Sequence, residues 1–292
     1  MKKVIILKIL NFGSLNIDHV YRVKQFVTPG ETVKSYDYTR KVGGKGLNQS
    51  VAMARAGVKV YHAGAVGADG AFLKEFMSRD GIDTAFIFES EIPTGHAIIQ
   101  VDEKGENCIL LFGGANQGIT EEIADKVLSD FSEGDFVVLQ NETNIVPYVI
   151  DKAHEKGMKI FFNPSPITGD LTSFSLEKID CFILNEIEGE ALTGENEIEK
   201  IIECLKRKFP RAEFVFTLGS KGSVYFNRNN CFSVEAEKVK AVDTTAAGDT
   251  FTGYFIAALA NGKSVEEAMK KATSAAAKAV TVAGAAESIP YM

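Results

Sequence analysis

The sequence has no tryptophan, and only four cysteines and four histidines among its 292 residues. Cys108, Cys181, Cys204 and Cys231 lie far apart and form no C-x-x-C pair. That argues against a zinc site or a disulfide framework and for a reducing, cytoplasmic setting. His19, His62, His96 and His154 are scattered, with no H-E-x-x-H, G-x-S-x-G or Ser-His-Asp grouping, so zinc-hydrolase and serine-hydrolase readings have no support. Lys/Arg blocks are absent and the net charge is -7, which removes the electrostatic reason to expect nucleic acid. Nothing approaches the roughly 20 apolar residues of a membrane span. Met1-Lys2-Lys3 precedes Val4-Ile5-Ile6-Leu7, but Lys8 interrupts the run and no small-residue cleavage site follows, so the start reads as a buried strand. The Walker A pattern is missing. Gly44 to Gln49 begins like a dinucleotide fingerprint, yet Gln49 stands where its last glycine belongs and no apolar strand leads into it.

What is present is an α/β pattern long enough for one large domain. Val4 to Phe12 is an apolar run ending at Gly13-Ser14, as expected of a central strand whose end opens onto a site, with Leu15-Asn16-Ile17-Asp18 at that mouth. Thr32 to Thr39 alternates like an exposed strand, and Gly43-Gly44-Lys45-Gly46 opens a helix that Gly57 stops. Ala97 to Val101 and Cys108 to Phe112 flank a turn and predict a hairpin. With strands drawn from about residues 20–42 and 95–113, these ribbons are expected to form a small sheet over one end of the main body. From residue 120 onward strands and helices alternate, which predicts a mostly parallel sheet with helices on both faces. Two helices, Ala247 to Ala260 and Val265 to Val282, close the chain. No repeat or linker divides it, so residues 1–292 read as a single domain.

The most informative stretch is Val242-Asp243-Thr244-Thr245-Ala246-Ala247-Gly248-Asp249-Thr250-Phe251-Thr252-Gly253. A turn of small residues runs straight into a helix, so a phosphate oxygen can approach the unpaired amides and the positive end of the helix dipole at Ala246, Ala247 and Gly248. Asp249 in that first turn would oppose a bound phosphate unless it accepts a proton there, an arrangement suited to phosphoryl transfer to an alcohol. An isolated Gly-Asp-Thr reads equally as a helix cap.

Other polar residues follow strand ends: Asn16 and Asp18; Gly44, Lys45 and Asn48; Asn141-Glu142; Asn185 and Glu188. In an open parallel sheet these ends converge on one crevice, where Asn, Asp and Lys supply the donors and acceptors that sugar hydroxyls need. Each alone also reads as a cap, a turn former or a solvated loop, and Gly219-Ser220-Lys221-Gly222 as a hairpin turn.

Gly13 to Asp18, Gly43 to Gln49, Asn185 to Glu188, Thr217 to Gly222 and Asp243 to Phe251 match, in order, the motifs of the ribokinase-like carbohydrate kinases, the PfkB family, and the chain resembles that family over nearly its whole length. Pro93-Thr94-Gly95, Phe112 to Asn116, Gln140-Asn141-Glu142 and Gly284 to Pro290 resemble its ribose-phosphorylating members. The resemblance implies a Rossmann-like body with a small β lid that often forms a dimer contact, and transfer of the ATP γ-phosphoryl group to the 5-hydroxyl of D-ribose, with Mg2+ on the nucleotide. It implies that Asp249 is the base and Ala246, Ala247 and Gly248 the anion hole. Asn16, Asp18, Gly44, Lys45, Asn48 and Glu142 would bind the sugar, together with Asp249. Asn185, Thr217, Gly219, Ser220, Gly222, Gly248 and Thr273 would line the nucleotide site, and Glu188 would act on Mg2+ through water. A monovalent cation, usually K+, would sit at Asp243, Thr245, Ala279, Val282, Gly284 and Ser288. Three departures stand out: Val282-Ala283 replaces a basic pair, Leu47 replaces an alanine beside the sugar motif, and the sequence stops at Tyr291-Met292 without a further helix that would cover neighbouring surface. Two rivals follow: a relative acting on another sugar, a sugar acid or a nucleoside, and a non-catalytic sugar or nucleotide sensor.

Overall fold

The computed structural model describes residues 7–167 and 171–292, so Val4 to Ile6 of the expected first strand lie outside the described residues. The chain begins with β1 (Ile9–Phe12), β2 (Asn16–Arg22) and β3 (Asp37–Gly43), then α1 (Lys45–Arg55) and β4 (Val60–Val66). Next come α2 (Ala71–Arg79), β5 (Asp83–Glu89), β6 (Gly95–Val101), β7 (Asn107–Phe112), α3 (Glu121–Leu128), β8 (Phe136–Gln140) and α4 (Val146–Glu155). The later part holds β9 (Lys159–Asn163), β10 (Cys181–Asn185), α5 (Glu186–Thr193), α6 (Ile198–Lys208), β11 (Glu213–Thr217), β12 (Ser223–Phe226), β13 (Cys231–Val234), α7 (Ala247–Ala260) and α8 (Val265–Ala279).

The strands form two sheets. A nine-stranded sheet runs β13-β12-β11-β10-β9-β8-β1-β4-β5, and a four-stranded sheet runs β3-β2-β6-β7. In the large sheet β12 pairs antiparallel with both β11 and β13, and every other pair is parallel. Its inner strands are buried on both faces, as their unbroken apolar runs require. Leu10, Val137, Phe162 and Phe182 point into a core shared with α3 to α6. Their neighbours Ile9, Val138, Phe161 and Ile183 point into the opposite core, shared with α1, α2, α7 and α8. The period of two therefore builds both layers.

Strand order reverses between β1 and β8, which lie side by side with Phe12 opposite Leu139. The chain leaves β1 toward β4 on one side and later fills β8 to β11 on the other. Such a reversal leaves a crevice at the carboxyl ends of the two strands. Helix α1 docks there because Gly46 has no side chain: a Cβ on it would stand 2.4 Å from the Ser14 amide nitrogen. Gly253 does the same between α1 and α7, where a Cβ would fall 2.4 Å from that of Ala52. Two glycines thus bring the amino ends of α1 and α7 together over the crevice.

The small sheet departs from expectation at its start. Asn16 and Asp18 lie within β2, not in a loop, because β2 pairs with β3 on one side and with β6 on the other from Asn16 onward. Residues 32–36 lie outside strands, and β3 begins at Asp37. Helix α8 ends at Ala279, short of Val282, since the Val280 carbonyl is taken by the amides of Val242 and Asp243 and the chain turns at Gly284 with φ 115°. No helix among the described residues is long and apolar enough to cross a membrane.

Candidate active site

Helix α7 starts at a strained turn. Ala246 adopts φ 60°, the one non-glycine residue with positive φ among the described residues. That conformation costs an alanine about 1–2 kcal/mol. The Ala246 carbonyl is held by the amide and hydroxyl of Thr250, both at 2.8 Å. The Ala247 amide donates to the Thr244 carbonyl at 3.2 Å. The Ala247 amide is thus engaged, whereas that of Gly248, at the second helical position, is one the helix leaves without an internal acceptor. A Cβ on Gly248 would meet nothing within 4 Å, and the residue lines an open cavity.

Asp249, 7% exposed, follows. Its carboxylate accepts hydrogen bonds from Asn48 Nδ2 at 3.0 Å and Gln49 Nε2 at 2.9 Å, both from the first turns of α1. Lys45 shares a cavity of about 230 Å³ with Asp249, Gly248 and Glu188. Burial works against its charge, but Asp249, Glu142 and Glu188 outweigh it and hold the ammonium above its ordinary range.

Beside this pair the sugar-motif residues interlock. Glu142, just past β8, accepts from the Lys45 amide at 2.9 Å and from the Ser14 hydroxyl. Burial pushes its carboxyl up, against the pull of Lys45 and of the Ser14 hydrogen bond. The Asn16 side chain accepts from Asn116 Nδ2 at 2.8 Å, while Asn116 pairs with both backbone groups of Leu15. Asp18 packs under Gly43, where any side chain would collide with its carboxylate. Burial, then Glu142 and Glu287, raise its pKa to about 7.

A model of the pfkB family carbohydrate kinases matches residues 7–292. The chain belongs to the pfkB family of carbohydrate kinases. It is 38% identical over 288 residues to a ribokinase of Haemophilus influenzae, covering 95% of this chain and 94% of that protein. It is 32% identical over 292 residues to a deoxyribokinase of Salmonella typhimurium, again covering 95% and 94%. Among solved structures, Arabidopsis thaliana ribokinase complexed with ribose and ATP superposes with a TM-score of 0.86 at 27% identity, covering 97% of this chain and 96% of that one. The protein is thus a phosphotransferase with an alcohol acceptor, and its nine-stranded body with a small separate sheet is the family's architecture.

The kinase gathers its sequence motifs unequally. Lys45, Asn48, Glu142, Glu188, Gly248 and Asp249 converge, with Asn185 and Thr217 at the edge of the same cavity. Asn185 and Glu188 also form a capping box on α5, each side chain bonding the other's backbone N–H, so the helix-cap reading holds alongside the ligand reading. Gly219 and Ser220 are exposed beyond β11, and Gly222 (φ 98°) is needed for close packing, since a Cβ would stand 2.1 Å from the Val234 carbonyl oxygen. Thr273 is buried on α8 with its hydroxyl unpartnered, and it does not line the cavity. At the other end, Asp243 Oδ1 accepts from the amide and hydroxyl of Thr245, and its Oδ2 from the Gly284 amide at 3.0 Å. This stitches the segment before α7 to the segment after α8. Burial would raise the Asp243 pKa, but these hydrogen bonds and Lys41 hold it below the usual carboxylate range. Ser14, Gln49, Asn116 and Gln140 were not singled out from the sequence, although each is a polar residue inside or beside a quoted motif.

Proposed function

We propose that this kinase transfers the γ-phosphoryl group of ATP to the 5-hydroxyl of D-ribose. The observation that carries the reading is Asp249, held by two amide donors beside an open helix N-terminus. Asp249 accepts the hydroxyl proton as the ribose oxygen bonds to the γ-phosphorus, and the bond from that phosphorus to the β–γ bridging oxygen breaks to release ADP. The Gly248 amide, with the turn Ala246-Ala247, faces the charge that builds on the phosphoryl oxygens, and the Lys45 ammonium adds a second positive group nearby. Asn16, Asp18, Gly44, Asn48 and Glu142 form the sugar side. Their buried donors and acceptors favour a substrate rich in hydroxyls, because an analogue lacking one leaves a buried group unpaired. Thr217, Gly219, Ser220, Gly222 and Thr273, with Asn185, form the nucleotide side.

Two ions complete the proposal. Mg2+ carried on the nucleotide would neutralise phosphate charge, and Glu188 would hold it through water. K+ would be held by Asp243, Thr245, Ala279, Val282, Gly284 and Ser288, a set of carbonyls and hydroxyls around one carboxylate; such hard oxygen donors suit a cation of this kind. It would supply positive potential behind the anion turn. The small sheet acts as a lid, and the exposed apolar side chains of its edge strand, Ile109, Leu110 and Phe112, fit a contact with a second copy of the chain. Free cysteines fit a reducing cytoplasm. The test is coupled ADP release on ribose, 2-deoxyribose, fructose and a nucleoside, with and without K+. Ribose should give the highest kcat/KM and K+ should raise it. A tenfold or greater preference for 2-deoxyribose or a nucleoside would contradict the reading.

A further inference from the structure

We propose that Gln140 is a positioning residue for catalysis, acting through Gln49 to fix the direction in which Asp249 is held. The inference rests on Asp249 being the base. Asn11, Gln49 and Gln140 are all fully buried at the crevice between β1 and β8. They form a directed chain of hydrogen bonds, and its direction is set by a backbone group. Asn11 Nδ2 lies 2.7 Å from the Gly46 carbonyl oxygen, which can only accept. The donor end of Asn11 is thereby fixed, so its Oδ1 must face Gln140. Gln140 Nε2 then donates to Asn11 Oδ1 at 2.9 Å and to Gln49 Oε1 at 2.7 Å. With its oxygen so engaged, Gln49 turns its own NH2 to Asp249 Oδ1 at 2.9 Å. No reversal of a single amide satisfies its neighbours, so the assignment does not depend on telling amide nitrogen from oxygen.

A further observation points to the donor end of Gln140 as what matters. Its Oε1 has no partner although it is buried, so the residue is held in place by its NH2 alone. Room for it comes from Gly13, where a Cβ would stand 2.2 Å from that oxygen. If Gln140 could not donate, the buried Gln49 oxygen would be left unpaired and the side chain would no longer be held where its NH2 meets Asp249. The base would then lose a well-placed donor.

The experiment is a cycle of Gln140→Met, Gln49→Met and the double variant, with Asp249→Asn as control, each checked by thermal melting. The readout is kcat at saturating ribose and ATP, with its pH profile, which the pH dependence of ribose binding does not enter. Losing a hydrogen bond to a carboxylate disfavours its charged form. Gln140→Met should therefore lower kcat about tenfold and move the acid limb of the kcat profile up by about one pH unit, with the KM for ATP within about twofold. Gln49→Met should do the same or more, and the double variant should match Gln49→Met, because Gln140 acts only through Gln49. An unmoved acid limb in Gln140→Met, or effects that simply multiply in the double variant, would overturn the proposal while leaving Asp249 as the base. Substantial turnover by Asp249→Asn would overturn both. If Gln140→Met does not fold, Gln140→Glu carries the test, since one O–H in place of two N–H leaves Asn11 or Gln49 without its donor; a wild-type acid limb in that variant would equally sink the proposal.

Discussion

Asn16 and Asn48, on the proposed sugar side, are 4% and 6% exposed, and both already make side-chain hydrogen bonds within the protein. Gly219, Ser220 and Gly248, on the proposed nucleotide side, are exposed, and a Cβ on Gly248 would meet nothing within 4 Å. The proposed sugar half is a preformed network of side chains; the proposed nucleotide half relies on main-chain amides at the ends of elements, that of Gly248 above all. A network fails one hydrogen bond at a time. A backbone surface fails only when something blocks it or moves it.

The largest effect that would sharpen this contrast is at Gly248. Because the protein leaves its Cβ position empty, Gly248→Val should leave the melting temperature within about two degrees of wild type, yet lower kcat about 100-fold by displacing the phosphoryl group from the amide. Unchanged turnover in that variant would break the contrast. Gly46 is the opposite case. A Cβ there would press on the Ser14 backbone, so Gly46→Ala should lose about 1–3 kcal/mol in denaturant unfolding before any effect on chemistry is considered.

The smallest expected effect lies at Asp18. Burial, Glu142 and Glu287 raise its pKa from 3.8 to about 7, so its charge changes across the neutral range. The charged form is the better acceptor for sugar hydroxyls, and the KM for ribose should rise several-fold as pH falls from 8 to 6. Asp18→Asn should flatten that dependence. The stability term has the opposite sense: the folded state holds the proton more tightly than the unfolded chain, so this group favours folding below about pH 4 and that contribution is lost as pH rises through 7. A KM for ribose that stays flat between pH 6 and 8 in the wild type would remove Asp18 from the sugar side.

Sequence made the two halves legible to different degrees. The anion turn is contiguous, from Asp243 to Asp249, and small residues running into an apolar helix announce it in one dimension. The strand and helix alternation after residue 120 was readable for the same reason, since inner parallel strands are short apolar runs. β2 was not readable. Asn16 to Arg22 mixes charged, polar and apolar residues and becomes a strand only because β3 and β6 pair with it on either side. The amide chain was hidden more deeply: Gln140 and Gln49 are 91 residues apart, and Gln49 and Asp249 are 200 apart. Only the reversal of strand order between β1 and β8 and the two glycine contacts of α1 bring them together.

The most direct measurement of the central claim is Asp249→Asn, assayed for ribose-dependent ADP release alongside calorimetric ribose binding. Asparagine fits the same space beside Asn48 and Gln49 but cannot take the proton. The account predicts a fall in kcat of about 10² to 10⁴, with ribose affinity within a few-fold of wild type. A variant that keeps more than about a tenth of the wild-type kcat would contradict it, because no base worth that little sets the rate.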